Sequence, residues 1–349
     1  MSKKDKPDVT LDDSPQAIKP DAGVGLDCGT MNFVSARSGS GKVRTSRIRD
    51  AFIDLPTEHK KMLKLSKTSF VEHSGLLLVL GDEALETANL FNREARRPMS
   101  GGLISAGELD AQEVIGLMLK RILGDPLVEK ERCCYSVPAA AVDVEGSDVI
   151  YHQAVLGKIL EELGYDPNPT NEALAIIFSE CAGENFSGLG ISYGSGMTNV
   201  CLAYNTMSAL EFSLGRGGDW IDKGASKAVG ITAAKMCAVK EKEVDIANPK
   251  GREQEAIALY YQNLIDYTIK NIIKHFSQAR QEILVPKAVP IIVSGGTSLA
   301  GGFLDKFKER FEVHQKSFPI EISEIRASES PLNAVATGLL LLAQEDDDD

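Results

Sequence analysis

Two stretches of this sequence, far apart along the chain, repeat one pattern. Val24-Gly25-Leu26-Asp27-Cys28-Gly29-Thr30-Met31-Asn32-Phe33-Val34 is an apolar run, a polar residue, a turn of glycine and small polar residues, then a second apolar run. Leu189-Gly190-Ile191-Ser192-Tyr193-Gly194-Ser195-Gly196-Met197-Thr198-Asn199-Val200 has the same order. Each reads as a tight β-hairpin, where glycine accepts positive φ and its missing side chain lets a ligand approach the backbone. Successive N–H groups in such turns form anion-binding concavities, so two facing turns would hold a polyphosphate from both sides. A third feature fits: the strand Val289-Pro290-Ile291-Ile292-Val293-Ser294 runs through Gly295-Gly296-Thr297 and Gly301-Gly302 into the helical stretch from Phe303. Strand, glycine turn and helix N-terminus is a common nucleotide-binding arrangement. Neither GxxxxGK[ST] nor GxGxxG occurs, which excludes the two best-known phosphate loops.

The rest of the chain sets bounds. At 349 residues, with 43% hydrophobic and 25% charged residues, it is long enough for two domains of ordinary globular composition. A net charge of −12 argues against general affinity for nucleic acid or anionic membrane. No apolar run approaches the ~20 residues a membrane-spanning helix needs. The N-terminal stretch lacks the apolar core of a secretory signal. None of the six cysteines forms a CxxC pair, and most sit in apolar runs, which suits buried thiols in a reducing cytoplasm. Residues 1–21 are polar and proline-bearing and are expected to be disordered; residues 345–349 form an acidic tail. Between them, short β-type runs alternate with helical stretches, the mark of an α/β architecture.

The three glycine motifs, in this order and spacing, resemble the two phosphate motifs and the adenosine motif of the actin, heat-shock chaperone and sugar kinase superfamily. The resemblance runs from about Gly23 to Gln344. It takes in Ser136-Val137-Pro138-Ala139, Asn171-Glu172-Ala173-Leu174-Ala175, Gly217-Gly218-Asp219-Trp220-Ile221-Asp222 and the helix from Pro331 to Gly338. Gly81-Asp82-Glu83-Ala84 and Arg97-Pro98-Met99-Ser100-Gly101-Gly102-Leu103-Ile104 are similar to segments of prokaryotic filament-forming actins of the rod-shape-determining and magnetosome type.

The resemblance implies an actin-like fold, with two domains each built on a mixed sheet flanked by helices (a duplicated ribonuclease H-like core) and nucleotide in the cleft between them. It places one domain at 22–175 plus 326–344, with a peripheral subdomain at about 49–96. The other covers 176–325, with a peripheral subdomain at about 215–287. ATP or ADP with Mg²⁺ is the implied ligand. Asp27 would act on the metal through water, a fitting role for a hard oxygen ligand, and Ser192 weakly so. Gly29, Thr30, Met31 and Asn32 would cradle the phosphates from one side, and Gly194, Ser195, Gly196 and Met197 from the other. Gly217 and Gly218, which follow the second loop, would also help bind the nucleotide. Lys240 and Glu241 would border the base or ribose, and Gly295, Gly296 and Thr297 would lie against the adenosine. Glu172 would position or deprotonate the attacking water.

One departure stands out. Where the superfamily carries an acidic residue in the second loop, this chain has Ser192, and Asn199 replaces a residue that is often acidic, Thr or His. The expectations are intact nucleotide binding, slow hydrolysis, and faster hydrolysis in Ser192→Asp if the local geometry is that of the family. The stretch Lys42–Lys67 is locally basic, and in an acidic chain it could meet the next subunit head to tail, a contact that gives open filaments. The leading reading is an ATP-dependent cytoskeletal filament protein with slow ATPase activity and an unidentified cargo or adaptor. A non-polymerising ATP-binding regulator is the alternative. A small-molecule kinase would need a pocket motif with a catalytic carboxylate, which is not found.

Overall fold

The computed structural model describes residues 22–39, 41–146, 149–242, 244–279 and 285–345. The segment 1–21 and the acidic tail beyond Glu345 lie outside the described residues.

The chain opens with β1 (Val24–Cys28), β2 (Asn32–Gly39) and β3 (Lys42–Arg49). A small three-stranded sheet follows, made of β4 (Phe52–Pro56), β5 (Val71–His73) and β6 (Leu76–Leu80), with α1 (Lys60–Leu65) and α2 (Asp82–Leu90). The hairpin β7 (Met99–Ser100) and β8 (Leu103–Ile104) leads to α3 (Ala111–Leu123), β9 (Arg132–Val137), α4 (Val149–Glu162), β10 (Asp166–Asn171) and α5 (Glu172–Glu180). The second half begins with β11 (Gly188–Tyr193), β12 (Thr198–Tyr204) and β13 (Met207–Leu214), then α6 (Gly218–Val229), α7 (Ala233–Glu241) and α8 (Gly251–Ala279). It ends with β14 (Val289–Ser294), α9 (Phe303–His314), β15 (Ile322–Ala327) and α10 (Ala334–Gln344).

The echo in the sequence is an echo in topology. The first five-stranded sheet runs β3-β2-β1-β9-β10 and the second runs β13-β12-β11-β14-β15. In each, the central strand pairs antiparallel with the strand after it and parallel with a later one. Pro167 and Pro169 sit on β10, an edge strand, where a missing N–H costs no ladder bond. The two halves thus share one mixed α/β plan, as the sequence predicts.

Helices cover both sheets. α3 and α4 bury Val114, Met118, Leu119, Leu156 and Leu160 against Leu26, Phe33 and Tyr135 of the first sheet. The second sheet buries Leu189, Ile191, Val200 and Val293 under α6, α8 and α9. Between the sheets lie α5 and α10, which share a cluster with Cys134 of the first sheet and Cys201, Ala203 and Ile292 of the second. Glycine lets these helices approach. A Cβ on Gly25 would lie 2.1 Å from the Ala336 carbonyl oxygen of α10, and one on Gly190 would lie 2.4 Å from the Ala173 carbonyl oxygen of α5. Gly25 and Gly190 are the same position of the repeated pattern, so the duplication extends to helix packing. Among the described residues no helix is long and apolar enough to cross a membrane.

Candidate functional site

The two hairpins close with the same register. Cys28 faces Phe33 and Tyr193 faces Thr198, so residues 29–32 form one connection and 194–197 the other. Both connections line a single cavity of about 800 Å³, together with the Gly295-Gly296-Thr297 turn. None of Gly29, Gly194 and Gly196 lies in the left-handed region, contrary to the hairpin expectation that glycine is there for positive φ. Close approach is the reason instead: a Cβ on Gly196 would sit 2.2 Å from the Gly102 amide nitrogen and 2.6 Å from Thr30 Oγ1. Gly295 has both requirements, with φ of 91° and a Cβ position 2.5 Å from the Tyr193 carbonyl oxygen.

Asp27, Glu172, Ser192 and Asn199 meet at the floor of this cavity. Asp27 and Ser192 hold equivalent places on β1 and β11, opposite Val34 and Asn199 on the partner strands. Ser136, on β9, donates its hydroxyl to Asp27 Oδ1 at 3.0 Å while accepting from the Cys28 N–H at 2.8 Å, which fixes the Asp27 carboxylate. Glu172 opens α5. Asn171 caps that helix by accepting from the N–H groups of Ala173 and Leu174, which points the Glu172 carboxylate toward the cleft from the positive end of the helix. Ser192 Oγ donates to Glu172 Oε1 at 2.5 Å and Asn199 Nδ2 to Oε2 at 2.8 Å. Burial pushes Asp27 well above the usual carboxylate range, with the Glu172 charge adding to it and the Ser136 hydrogen bond opposing it. Burial also raises Glu172, against the pull of Ser192. Two desolvated carboxylates in one pocket favour a cation beside them.

The remaining expected residues fall into two groups. Thr30, Met31, Asn32, Ser195, Met197, Lys240, Glu241, Gly296 and Thr297 all line the cavity. Gly217 and Gly218 are not part of its wall: they support the second loop from behind, where the Gly218 N–H donates to the Gly194 carbonyl at 3.0 Å. Lys240 and Glu241 are engaged by the protein itself. The Lys240 ammonium donates to Asp222 at 2.7 Å and to the Gly218 carbonyl at 2.9 Å, tying α7 to α6. Glu241 pairs with Arg49 of β3 at 2.9 Å, linking the two halves across the cavity wall.

Sequence reasoning passed over the side chains that support the two loops. Arg97 donates to the Thr30 carbonyl of the first loop at 2.6 Å and to Asp219 Oδ2 at 3.2 Å, while Ser195 of the second loop donates to Asp219 Oδ1 at 2.6 Å. Asp50 accepts from the Met99 N–H, and burial pushes its carboxyl up to about 8, an effect that the nearby Arg97 opposes. Ser136, Arg97 and Asp219 all lie inside quoted motifs, so the signal was present; their partners are set by the tertiary structure.

The Volactin family profile matches residues 23–343. Among curated proteins, none matches the chain in sequence. In solved structures, the MamK double helical filament aligns with a TM-score of 0.69 at 18% identity, covering 93% of this chain and 98% of that one. MreB5 of Spiroplasma citri bound to ADP aligns with a TM-score of 0.62 at 15% identity, covering 93% and 97%. The ethanolamine utilization protein EutJ from Carboxydothermus hydrogenoformans aligns with a TM-score of 0.53 at 15% identity, covering 93% and 91%. All three are actin-like proteins, and their similarity over nearly the whole chain shows that fold here. The chain carries the actin-like fold and belongs to the Volactin family.

Proposed function

We propose that this protein binds ATP in the cleft between its two sheets, hydrolyses it slowly, and uses the bound nucleotide to control self-assembly into filaments. The observation that carries this reading is the pair of equivalent loops, 29–32 and 194–197, facing one cavity over a floor of two buried carboxylates. The domain division at 175/176 and 325/326 is part of the same proposal.

The residues present fit a metal-bound polyphosphate. The missing side chain at Gly196 lets the second loop close on Gly102 and Thr30, so that both loops border one cavity. The uncompensated pair Asp27 and Glu172 suits a divalent cation, with Asp27 holding it through water and Ser192 bound instead to Glu172. Bound Mg²⁺ would neutralise charge on the phosphate oxygens. Glu172, held at the helix N-terminus, orients a water and accepts its proton. The apolar wall of Leu299, Leu332 and Val335 beside Gly295 and Gly296 suits the flat face of a base. The MamK filament and the ADP-bound MreB5 are the neighbours whose described states support assembly and nucleotide binding.

Thermal unfolding with millimolar ATP and Mg²⁺ tests the first part. A ligand at a hundredfold excess over its Kd adds about 2.7 kcal/mol, so Tm should rise by several degrees. An unchanged Tm rejects the site. High-speed sedimentation tests the second. Protein at tens of micromolar should pellet with ATP and less so as salt rises, because the basic Lys42–Lys67 stretch is screened. A monomer under all these conditions replaces the filament reading with that of a non-polymerising regulator.

A further inference from the structure

Asn199 and Ser213 lie outside the phosphate-cradling turns, yet they reach the cleft floor through a single file of hydrogen bonds. Asn199 on β12 is 2% exposed and Ser213 on β13 is fully buried. The Asn199 amide donates to Glu172 Oε2 at 2.8 Å, and its oxygen accepts from Ser213 Oγ at 2.6 Å. The amide has one orientation that satisfies both, because a carboxylate only accepts and the hydroxyl here donates.

Ser213 is in turn fixed by chain from the other half of the molecule. The segment 139–146, which leaves the first sheet after β9, crosses to the edge of β13. There the Ser213 N–H donates to the Ala140 carbonyl at 3.2 Å and its carbonyl accepts from the Val142 N–H at 2.9 Å. Asp143 anchors the crossing by accepting from the Gly215 N–H at 2.7 Å and the Tyr267 hydroxyl at 2.9 Å. A strap from one sheet therefore sets Ser213, Ser213 sets Asn199, and Asn199 sets Glu172.

We propose that Asn199 and Ser213 are positioning residues for Glu172, and that through them the crossing segment 139–146 ties the aim of this carboxylate to the relative placement of the two halves. The proposal rests on the reading that Glu172 serves ATP hydrolysis. Its chemistry is specific. At the floor of the site Glu172 is flanked by neutral donors on both oxygens, where an acidic residue at 199 would present a second negative group to a buried carboxylate. Each carboxylate oxygen keeps a lone pair for a water, so the clamp aims Glu172 without saturating it.

The test measures single-turnover ATP hydrolysis, ATP affinity and Tm on Asn199→Ala, Ser213→Ala, Ser213→Thr, Glu172→Ala and the double variant Glu172→Ala/Asn199→Ala. Asn199→Ala should slow hydrolysis about tenfold with ATP affinity within about twofold, since aim matters in the transition state more than in the ground state. Ser213→Ala should slow it less, and Ser213→Thr, which keeps the hydroxyl, should restore the parent rate. The double variant should hydrolyse no more slowly than Glu172→Ala alone. Additive losses, or a parental rate in Asn199→Ala, overturn the proposal. If the parent binds ATP and does not hydrolyse it, the ATPase reading fails and the clamp is still decided by Tm. Asn199→Ala should then lower Tm by about 2–4 °C more in the parent than in the Glu172→Ala background, and equal shifts reject the clamp.

Discussion

Position 192 shows how one side chain takes its meaning from its neighbours. From the motif alone, serine in place of an acid reads as a missing metal partner, and Ser192→Asp reads as a repair. In the folded protein the Ser192 hydroxyl is a donor to Glu172 at 2.5 Å, on a floor where burial has already raised both Asp27 and Glu172. Aspartate there exchanges a donor for an acceptor and adds a third carboxylate to an enclosed site. Unpaired buried charges of this kind cost several kcal/mol unless the group takes up a proton. Ser192→Asp should therefore slow single-turnover hydrolysis by about tenfold, and a rate above the parent's would show that the added charge serves the metal after all. The serine and Asn199 are a matched pair of donors, a fact that lies in the tertiary contacts and in neither motif.

Among elements, the helices between the sheets carry the tightest steric constraints. α5 and α10 cross where Gly338 faces the backbone of Ala175, and a Cβ at 338 would lie 1.8 Å from the Ala175 carbonyl oxygen. Helix propensity alone would make Gly338→Ala stabilising by about 1 kcal/mol. The contact is with backbone, which cannot swing aside, and overpacking of this kind costs about 1–3 kcal/mol or more. The clash should win: Gly338→Ala should lose about 2 kcal/mol in urea unfolding, whereas Gly183→Ala, which has open space around it, should stay near the parent. A stabilised Gly338→Ala would mean that the helices can move apart without penalty. Because α5 also presents Glu172, a shift of this helix would change the site as well as the core.

Across the whole molecule, the two halves are joined by side-chain links beside and behind the cavity as well as by chain crossings. Arg49 of β3 meets Glu241 of α7, and Arg97 bridges Thr30 of the first loop to Asp219 beneath the second. Exposed ion pairs contribute about 0–1 kcal/mol to stability, and the Arg49–Glu241 side chains are 21% and 43% exposed. Arg49→Ala should accordingly leave Tm within about 2 °C of the parent. Its effect should appear in nucleotide exchange, because a ligand held between two bodies leaves faster when one of their links is cut. Stopped-flow release of a fluorescent ATP analogue should quicken severalfold, and an unchanged rate would show that the pair does not restrain the cleft.

The repeated hairpin, the glycine turn after β14 and the α/β alternation are legible in the chain, because local spacing of apolar residues and glycine specifies strands, turns and their ligand-facing backbone. Asp27, Glu172 and both loops, each part of a contiguous motif, line one cavity. Three features depend on contacts between distant segments. Gly196 is there for contact with Gly102 and Thr30, residues far away in sequence. Lys240 and Glu241 line the cavity with their charges already paired to Asp222 and Arg49. Asn199 and Ser213 reach Glu172 because strand pairing sets them side by side, and the chain from β9 crosses over to hold them. Local pattern specifies which backbone can face a ligand; which side chains share a hydrogen bond depends on how the two sheets pack, and no short segment contains that information.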